Sequence, residues 1–428
     1  MPPRPQRLPG RLALLLAAVA ALLACRESTD LVFAVGGAPD ELAVWEEVAR
    51  DFAQQTGRHI RLLRQPSGTD QRRESLVIAL SAGASEPDVL IMDVAWVGLL
   101  AASGWLLPLD GAVDTAPFFQ RILQAADIQA GHLIALPMYL DGGLLYYRRD
   151  LLERFGIPDP PDTWEALRET AARIQAGMRP TNPGFYGFVW QGAQYEGLVC
   201  NFLEFAGPGG GFVRQGDRVR VDSETNVAAA DFMRRLIADG ISPPSTFTEM
   251  HEEEARAVFY AGNALFERNW PYAWALLEDP GSPVRGRVGV VPLPGPSPGS
   301  GVAALGGWHI GISAHTRHPA AALALVRFVT SAAVQKRLSL RLGWNPGRRD
   351  LYTDPEMTAT LPHLPLLQEV FRNAVLRPTL PYYHQLSAAL QRNLNAVLAG
   401  RLRPGEALRR AQDEMDAVVE RYRPPGGP

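Results

Sequence analysis

Short apolar runs alternate with longer amphipathic segments through the first part of the chain. Three of these runs have the length and composition of strands: Leu31 to Val35, Ile60 to Leu63 and Asp88 to Val94. The last run is apolar enough for a strand that is buried on both faces. Between the runs lie two predicted helices, one capped by Asp40 and ended by Gly57, the other covering Asp70 to Ser81. Strand and helix in alternation predict an α/β fold with a parallel sheet.

A second unit with the same alternation begins after a strand predicted at Ala135 to Leu140. Its predicted strands are Phe185 to Trp190, Ala264 to Arg268 and Arg287 to Val291. Its predicted helices are Thr163 to Gln175, Ala228 to Ala238 and Ala255 to Tyr260. The Pro/Gly-rich stretch Pro292 to Gly301 predicts a loop. After it we expect a strand at His309 to Ala314, a helix at Pro319 to Leu338 and an amphipathic helix at Gly405 to Arg421.

The N-terminus has a different pattern, in which basic residues precede an apolar run that ends at Cys25. The basic residues are Arg4, Arg7 and Arg11, and the run extends from Leu12 to Ala24. This pattern predicts a secretory signal peptide over residues 1–24, because the run is shorter than the about 20 residues of a membrane span. A cysteine at the cut resembles the box of bacterial lipoproteins, in which the thiol takes a lipid. We therefore expect a lipid anchor at Cys25 on the outer side of the cytoplasmic membrane; the alternative is a chance cysteine.

Composition excludes several classes of protein. The 428 residues carry a net charge of −3, which provides no basic surface for nucleic acid. A hydrophobic fraction of 46% is that of a globular protein with a real core. The cysteines are Cys25 and Cys200, so lipidation of Cys25 leaves no intramolecular disulfide. The sequence has no phosphate-binding loop and no histidines at metal-ligand spacing, so we predict no cofactor and no metal.

Two acids and two arginines are candidates for contact with a polar ligand. Glu41 follows the first predicted strand and Asp93 ends the third, and ligands of open α/β sheets bind at the carboxyl ends of strands. Their carboxylates could accept hydrogen bonds from the hydroxyls of a neutral polyol. The alternatives are a helix N-terminus for Glu41 and a strand-end cap for Asp93. Arg72 and Arg377 could donate paired hydrogen bonds to hydroxyls or be solvated helix charges.

Aromatic residues beside glycines or strand ends are the second set of candidates for contact with a ligand. Trp270 and Tyr272 follow a predicted strand, and Trp308 follows two glycines and precedes a strand. Tyr139 and Asp141 precede Gly142-Gly143. Flat rings at such places suit stacking on the apolar face of a sugar, although most tryptophans pack in cores. We expect four other tryptophans to pack in the core, at a cap or in a loop: Trp45, Trp105, Trp164 and Trp344.

Six segments together resemble one family. They are Ala38 to Glu41, Asp88 to Trp96, Ala135 to Tyr147, Phe266 to Trp274, Gly306 to Ser313 and Leu342 to Arg348. The chain resembles the extracellular solute-binding proteins of ABC sugar importers, specifically the trehalose/maltose-binding proteins, in order and spacing over nearly its whole mature length. Gln191 to Val199 and Arg377 to Tyr383 add to the likeness. Ser67 to Gln71 departs from the family pattern, and Gly142 stands where the family has alanine.

The resemblance implies an α/β, two-lobed fold like that of periplasmic binding proteins, with three interlobe crossovers and a ligand cleft. The ligand-binding residues that it implies are Glu41, Arg72, Asp93, Tyr139, Asp141, Trp270, Tyr272, Gly307, Trp308 and Arg377. The crossovers are expected near Tyr139, Trp308 and Asn345. The N-terminal lobe then takes residues 25–138 and 310–345, and the C-terminal lobe takes residues 139–309 and 346–428.

The implied function is that of a monomeric receptor without enzymatic activity. Its partners would be a disaccharide and the permease subunits of an ABC importer, with trehalose and maltose as ligands and sucrose and palatinose as further candidates. Two alternatives come from other classes of protein. An exported glycoside hydrolase would use Asp93 and Asp141 as its carboxylate pair and would release free sugar. A structural or adhesive lipoprotein would need no cleft.

Overall fold

The computed structural model describes residues 30–37, 39–66, 68–215 and 218–422. Cys25 and the predicted signal peptide lie outside these residues. Two sheets of different topology organise the described part of the chain, and helices cover both. The α/β class predicted from the sequence is therefore confirmed.

The elements have the following bounds. The strands are β1 (Leu31–Val35), β2 (Ile60–Arg64), β3 (Val89–Asp93), β4 (Ile128–Gln129), β5 (His132–Leu133), β6 (Leu136–Gly142), β7 (Leu144–Arg148), β8 (Tyr186–Val189), β9 (Val213–Gln215), β10 (Arg218–Arg220), β11 (Ala264–Asn269), β12 (Val288–Pro292) and β13 (Leu305–Ile312). The α-helices are Pro39–Thr56, Thr69–Ser81, Val97–Ala102, Gln120–Ile122, Arg149–Arg154, Trp164–Met178, Glu196–Ala206, Glu224–Ala238, Glu252–Tyr260, Ala273–Leu277, Pro319–Val329, Ala332–Leu342, Pro355–Thr360, Leu364–Asn373, Tyr383–Leu398 and Pro404–Tyr422. Shorter helical turns are Val94–Trp96, Leu123–Asp127, Pro244–Phe247 and Arg349–Thr353.

The first sheet has the strand order β2-β1-β3-β13-β6. β1 pairs in parallel with β2 and β3, as the alternating pattern predicts. β13 pairs antiparallel with both β3 and β6, so the complete sheet is mixed. The reason is that β13 enters this sheet from the second one, and no helical crossover sets its direction. β3 is buried along its whole length, as its apolar sequence predicts.

The second sheet has the strand order β12-β7-β11-β8. Only Gly143 separates β6 of the first sheet from β7 of the second, and the loop over residues 293–304 leads from β12 back to β13. A third passage follows the helix Ala332–Leu342, where Asn345 contacts β6: its carbonyl accepts from the Leu140 N–H at 2.9 Å and its Nδ2 donates to the Leu140 carbonyl at 3.0 Å. The chain therefore passes between the two sheets three times.

Two helix boundaries differ from the predictions. The first helix begins at Pro39, so Asp40 lies in its first turn and is not its cap. The predicted helix Pro319 to Leu338 is two helices, because Ser331 begins a new one: its Oγ accepts from the Val334 N–H at 3.4 Å. No helix that the structure describes has the length and apolar character to cross a membrane.

Candidate functional site

A cavity of about 200 Å³ lies at the ends of strands from both sheets. Its lining residues are Thr69, Asp93, Tyr139, Asp141, Tyr195, Glu196, Gly197, Cys200, Glu252, Trp270, Tyr272, Gly306, Gly307, Trp308, Trp344 and Arg377. Eight of the ten residues predicted to bind a ligand are among them: Asp93, Tyr139, Asp141, Trp270, Tyr272, Gly307, Trp308 and Arg377. Apolar walls with a few convergent polar groups are the usual design of a ligand site.

Glu41 and Arg72 are the two predicted residues that do not line this cavity. The guanidinium carbon of Arg72 lies 4.0 Å from the centroid of the Trp308 ring. Gly36 and Gly37 leave the space for these side chains, because a Cβ on either glycine would overlap Arg72 or Glu41. Burial raises the pKa of Glu41 to about 7, although Arg72 acts to lower it. Arg72 thus lies beside Trp308, whereas Glu41 accepts from Trp45 Nε1 at 3.3 Å, and ligand contact by either residue stays a prediction.

An ion pair between Asp93 and Arg377 lies at the cavity. Arg377 Nη2 donates to Asp93 Oδ1 at 2.9 Å, and both side chains are nearly fully buried. The Ala95 N–H donates to the same oxygen at 2.8 Å. Burial raises the pKa of Asp93, and the positive charge of Arg377 opposes that rise. Oδ2 of Asp93 accepts no hydrogen bond from the described residues, so it is available to a hydroxyl group.

Trp270 and Tyr272 are held on the side of the second sheet. Trp270 Nε1 donates to Glu252 Oε1 at 3.1 Å, and the Tyr272 hydroxyl donates to Glu253 Oε1 at 2.7 Å. Arg268 lies against the Trp270 ring, with its guanidinium carbon 3.9 Å from the centroid. These contacts fix the orientation of both rings.

Tyr139 and Trp344 stack on each other with ring centroids 4.2 Å apart and an angle of 23°. Trp344, which we predicted to pack, does pack against the core of the first sheet, and it also lines the cavity. The signal in the sequence was Gly343-Trp344, a tryptophan directly after a glycine, as at Trp308. Gly343 ends a helix in the left-handed conformation. Asp141 accepts from Asn345 Nδ2 at 3.3 Å, and burial raises its pKa to about 7.

A side chain would meet different neighbours at Gly307 and at Gly142. Gly307 has a φ of +121°, and a Cβ there would lie 2.4 Å from the Tyr139 carbonyl oxygen, so only glycine fits. The register of β13 against β6 shifts directly after Trp308. A Cβ on Gly142 would meet Val370, Ala303 and Phe371, which lie outside the cavity lining. Glycine at that position therefore changes packing near the first passage between the sheets.

Several lining residues were not predicted, most importantly Glu196. Its Oε1 accepts from Arg377 Nη1 at 3.0 Å and from the Tyr383 hydroxyl at 2.6 Å. No local sequence pattern indicates these hydrogen bonds of Glu196, because Arg377 lies 181 residues away in sequence. Cys200 was considered only as a partner for a disulfide, and it lines the cavity. Burial raises the pKa of its thiol to about 12.

Two sheets that meet at one aromatic and acidic cavity define the class of two-lobed binding proteins. Residues 37–336 match the family described as bacterial extracellular solute-binding protein, and the chain belongs to that family. The family predicted from the sequence is confirmed, and with it the two-lobed fold. As a member of this family the chain is a binding protein and not an enzyme, which sets aside the hydrolase alternative.

Solved and curated relatives agree over most of the chain. The structure titled maltose-bound T. maritima MalE3 has a TM-score of 0.84 and 36% identity, covering 91% of this chain and 99% of that one. A probable ABC transporter-binding protein of Deinococcus radiodurans is 38% identical over 378 residues, which are 86% of this chain and 89% of that protein. A maltotriose-binding protein of Pyrococcus abyssi is 24% identical, over 90% of this chain and 79% of that protein.

Proposed function

We propose that this protein is a lipid-anchored receptor that binds a neutral disaccharide and delivers it to an ABC import permease. Trehalose and maltose are the first candidates, and sucrose and palatinose are further ones. One observation carries the proposal: the indole rings of Trp270, Trp308 and Trp344 and the Asp93–Arg377 pair line a single cavity. Flat rings stack on the apolar face of a sugar, and the carboxylate accepts its hydroxyls.

The relatives named for a ligand support a neutral polyhydroxylated molecule. The T. maritima structure is described as maltose-bound, the Pyrococcus abyssi protein as maltotriose-binding, and a Pseudomonas aeruginosa relative with 26% identity as mannitol-binding. The cavity has several aromatic side chains, and each ring of a disaccharide offers them a face for stacking. A linear polyol offers no such face, so we favour a disaccharide as the ligand. The ten residues predicted from the sequence are proposed as the binding residues, with Arg72 acting from beside Trp308.

We propose lobes that follow the expected boundaries, with residues 25–138 and 310–345 in one and residues 139–309 and 346–428 in the other. The ligand would bind between them and favour the closed form, because it contacts Asp93 from one lobe and Trp270 from the other. The loaded form would dock on the permease as a monomer, held near it by a lipid on Cys25.

The test is calorimetry and thermal denaturation of the purified exported protein with trehalose, maltose, sucrose, palatinose and glucose. We expect at least one disaccharide to bind and raise the melting temperature, since a ligand of the native state stabilises it. Trp308→Ala should abolish this rise, and Trp105→Phe, outside the cavity lining, should keep it. If none of the disaccharides binds, the proposal is wrong. Incorporation of labelled fatty acid into the wild type and not into Cys25→Ala tests the anchor.

A further inference from the structure

Glu196 lines the cavity, yet its carboxylate is engaged by the protein itself. It is the first residue of the helix Glu196–Ala206, and its side chain is 13% exposed. Oε1 accepts from Arg377 and Tyr383, and Oε2 accepts from Ser387 Oγ at 2.5 Å. Gln391 Nε2 also donates to Oε2 at 3.5 Å, and four donors on two oxygens leave little capacity for the hydroxyl of a ligand. The role of Glu196 therefore depends on the side chains that it binds.

What Glu196 holds is Arg377, which lies between carboxylates from two parts of the fold. One amino group of Arg377 donates to Glu196 and the other to Asp93, at 3.0 and 2.9 Å. Asp93 ends β3 of the first sheet. The helix that Glu196 begins packs with Leu198 and Phe202 into the core of the second sheet. The guanidinium, 3% exposed, thus bridges the two halves through a planar fork whose geometry matches carboxylates.

The helix Tyr383–Leu398 supplies the donors to Glu196 at regular spacing. Tyr383 and Ser387 are four residues apart and so lie on one face of the helix. Gln391, four residues further, donates to Ser387 Oγ at 2.9 Å. This row of polar groups on a buried helix face supplies donors to both oxygens of the carboxylate. A carboxylate that several donors hold in place can hold a guanidinium in turn.

We propose that Glu196 is a positioning residue that sets the affinity for the ligand through Arg377 without contacting the ligand. It holds Arg377 in the orientation that fixes Asp93 Oδ1, which leaves Oδ2 of Asp93 directed to a ligand hydroxyl. Without the charge of Glu196, Arg377 has one carboxylate partner and can reorient, and Asp93 loses its fixed geometry. This inference rests on the proposed binding of a neutral sugar.

The test is a double-mutant cycle on sugar affinity, measured by calorimetry with the disaccharide that the wild type binds. Glu196→Gln keeps the shape of the side chain and should weaken binding about tenfold, as expected for loss of a hydrogen bond between charged groups. In an Arg377→Met background, Glu196→Gln should change affinity by less than about twofold, because the residue through which it acts is gone. Arg377→Ala, which likewise has no group for Glu196 to hold, serves in place of Arg377→Met if that variant does not fold.

Melting temperatures measured without ligand distinguish a positioning role of Glu196 from a merely structural one. The ligand-free melting temperature of Glu196→Gln should stay within a few degrees of the wild type while affinity falls. Ser387→Ala should give a smaller loss of affinity in the wild type and none in the Arg377 variant. An equal loss from Glu196→Gln in both backgrounds would show direct ligand contact and overturn the inference. A wild type that binds no sugar would instead refute the proposed function.

Discussion

The guanidinium of Arg268 lies between the Trp270 ring and the carboxylate of Glu204. Its carbon is 3.9 Å from the ring centroid, and its Nε donates to Glu204 Oε2 at 2.7 Å. Both charged side chains are 1% exposed, and Glu204 also accepts from the Ala304 N–H at 3.1 Å. One wall of the cavity therefore rests on a buried ion pair that reaches the loop between β12 and β13.

Removal of one charge from the buried pair of Glu204 and Arg268 should destabilise the folded protein. Glu204→Gln leaves the charge of Arg268 buried without a counter-charge, and we expect the free energy of unfolding to fall by about 3–5 kcal/mol in chemical denaturation. Glu406→Gln is the control, because it breaks the exposed pair between Glu406 and Arg410 and should cost less than about 1 kcal/mol. Equal losses in the two variants would contradict the role of burial.

Gly98 should be intolerant of a side chain although it lies outside the cavity lining. A Cβ on Gly98 would lie 2.2 Å from the Thr379 carbonyl oxygen, two residues from Arg377. Gly98→Ala should push this backbone away and weaken sugar binding about tenfold, because Arg377 moves with it. Gly142→Ala is the control, since its nearest atoms are side-chain methyl groups, and its affinity should stay within about twofold. Calorimetry measures both, and unchanged affinity in Gly98→Ala would refute the prediction.

His363 should make the protein sensitive to acid. It is 2% exposed, neither ring nitrogen has a partner among the described residues, and burial lowers its pKa from 6.5 to about 4. Between these values the unfolded chain takes up a proton that the folded protein does not. The free energy of unfolding should therefore fall by up to about 3 kcal/mol as the pH drops from 6.5 to 4.

Denaturation at several pH values measures this effect. His363→Leu should have a shallower loss of stability between pH 6.5 and 4 than the wild type. His59→Gln, at an exposed position, should leave the slope as it is. If His363→Leu follows the wild-type slope, the acid sensitivity comes from other groups.

Asp141 should have the opposite effect on stability. Burial raises its pKa from 3.8 to about 7, so the folded protein binds a proton that the unfolded chain has lost between these values. Stability should fall as the pH rises through this window. Asp141→Asn should raise the melting temperature of the ligand-free protein more at pH 8 than at pH 5, and the exposed Asp159→Asn should shift neither. A gain that is equal at both pH values would contradict the assignment.

The sequence predicted the parts of the site that local patterns report. Trp270 was predicted because it directly follows a strand, and Asp93 because it ends an apolar one. Trp308 was predicted to precede a strand, and it lies within β13. Trp344 was predicted only to pack, although it follows a glycine as Trp308 does. Glu196 was not predicted, because its contacts are with distant segments. Both Asp93 and Arg377 were predicted as site residues, but nothing in the sequence indicates that they form an ion pair across 284 positions.

The same limit applies to the first sheet. Three parallel strands follow from apolar runs with helices between them, which are local features. The antiparallel insertion of β13 depends on a strand that arrives after the whole second sheet, and the periodicity of a strand carries no information about its neighbours. The resemblance to known binding proteins supplied the crossovers that periodicity could not.

The central place of β13 has a consequence for biogenesis. Until Leu305–Ile312 has been synthesised, β3 and β6 have no partner between them, and each presents open backbone groups. A nascent or truncated chain that stops before this strand would have unpaired backbone groups on β3 and β6, and it would be prone to aggregation or proteolysis. Completion of the first sheet must therefore wait until most of the polypeptide has left the ribosome.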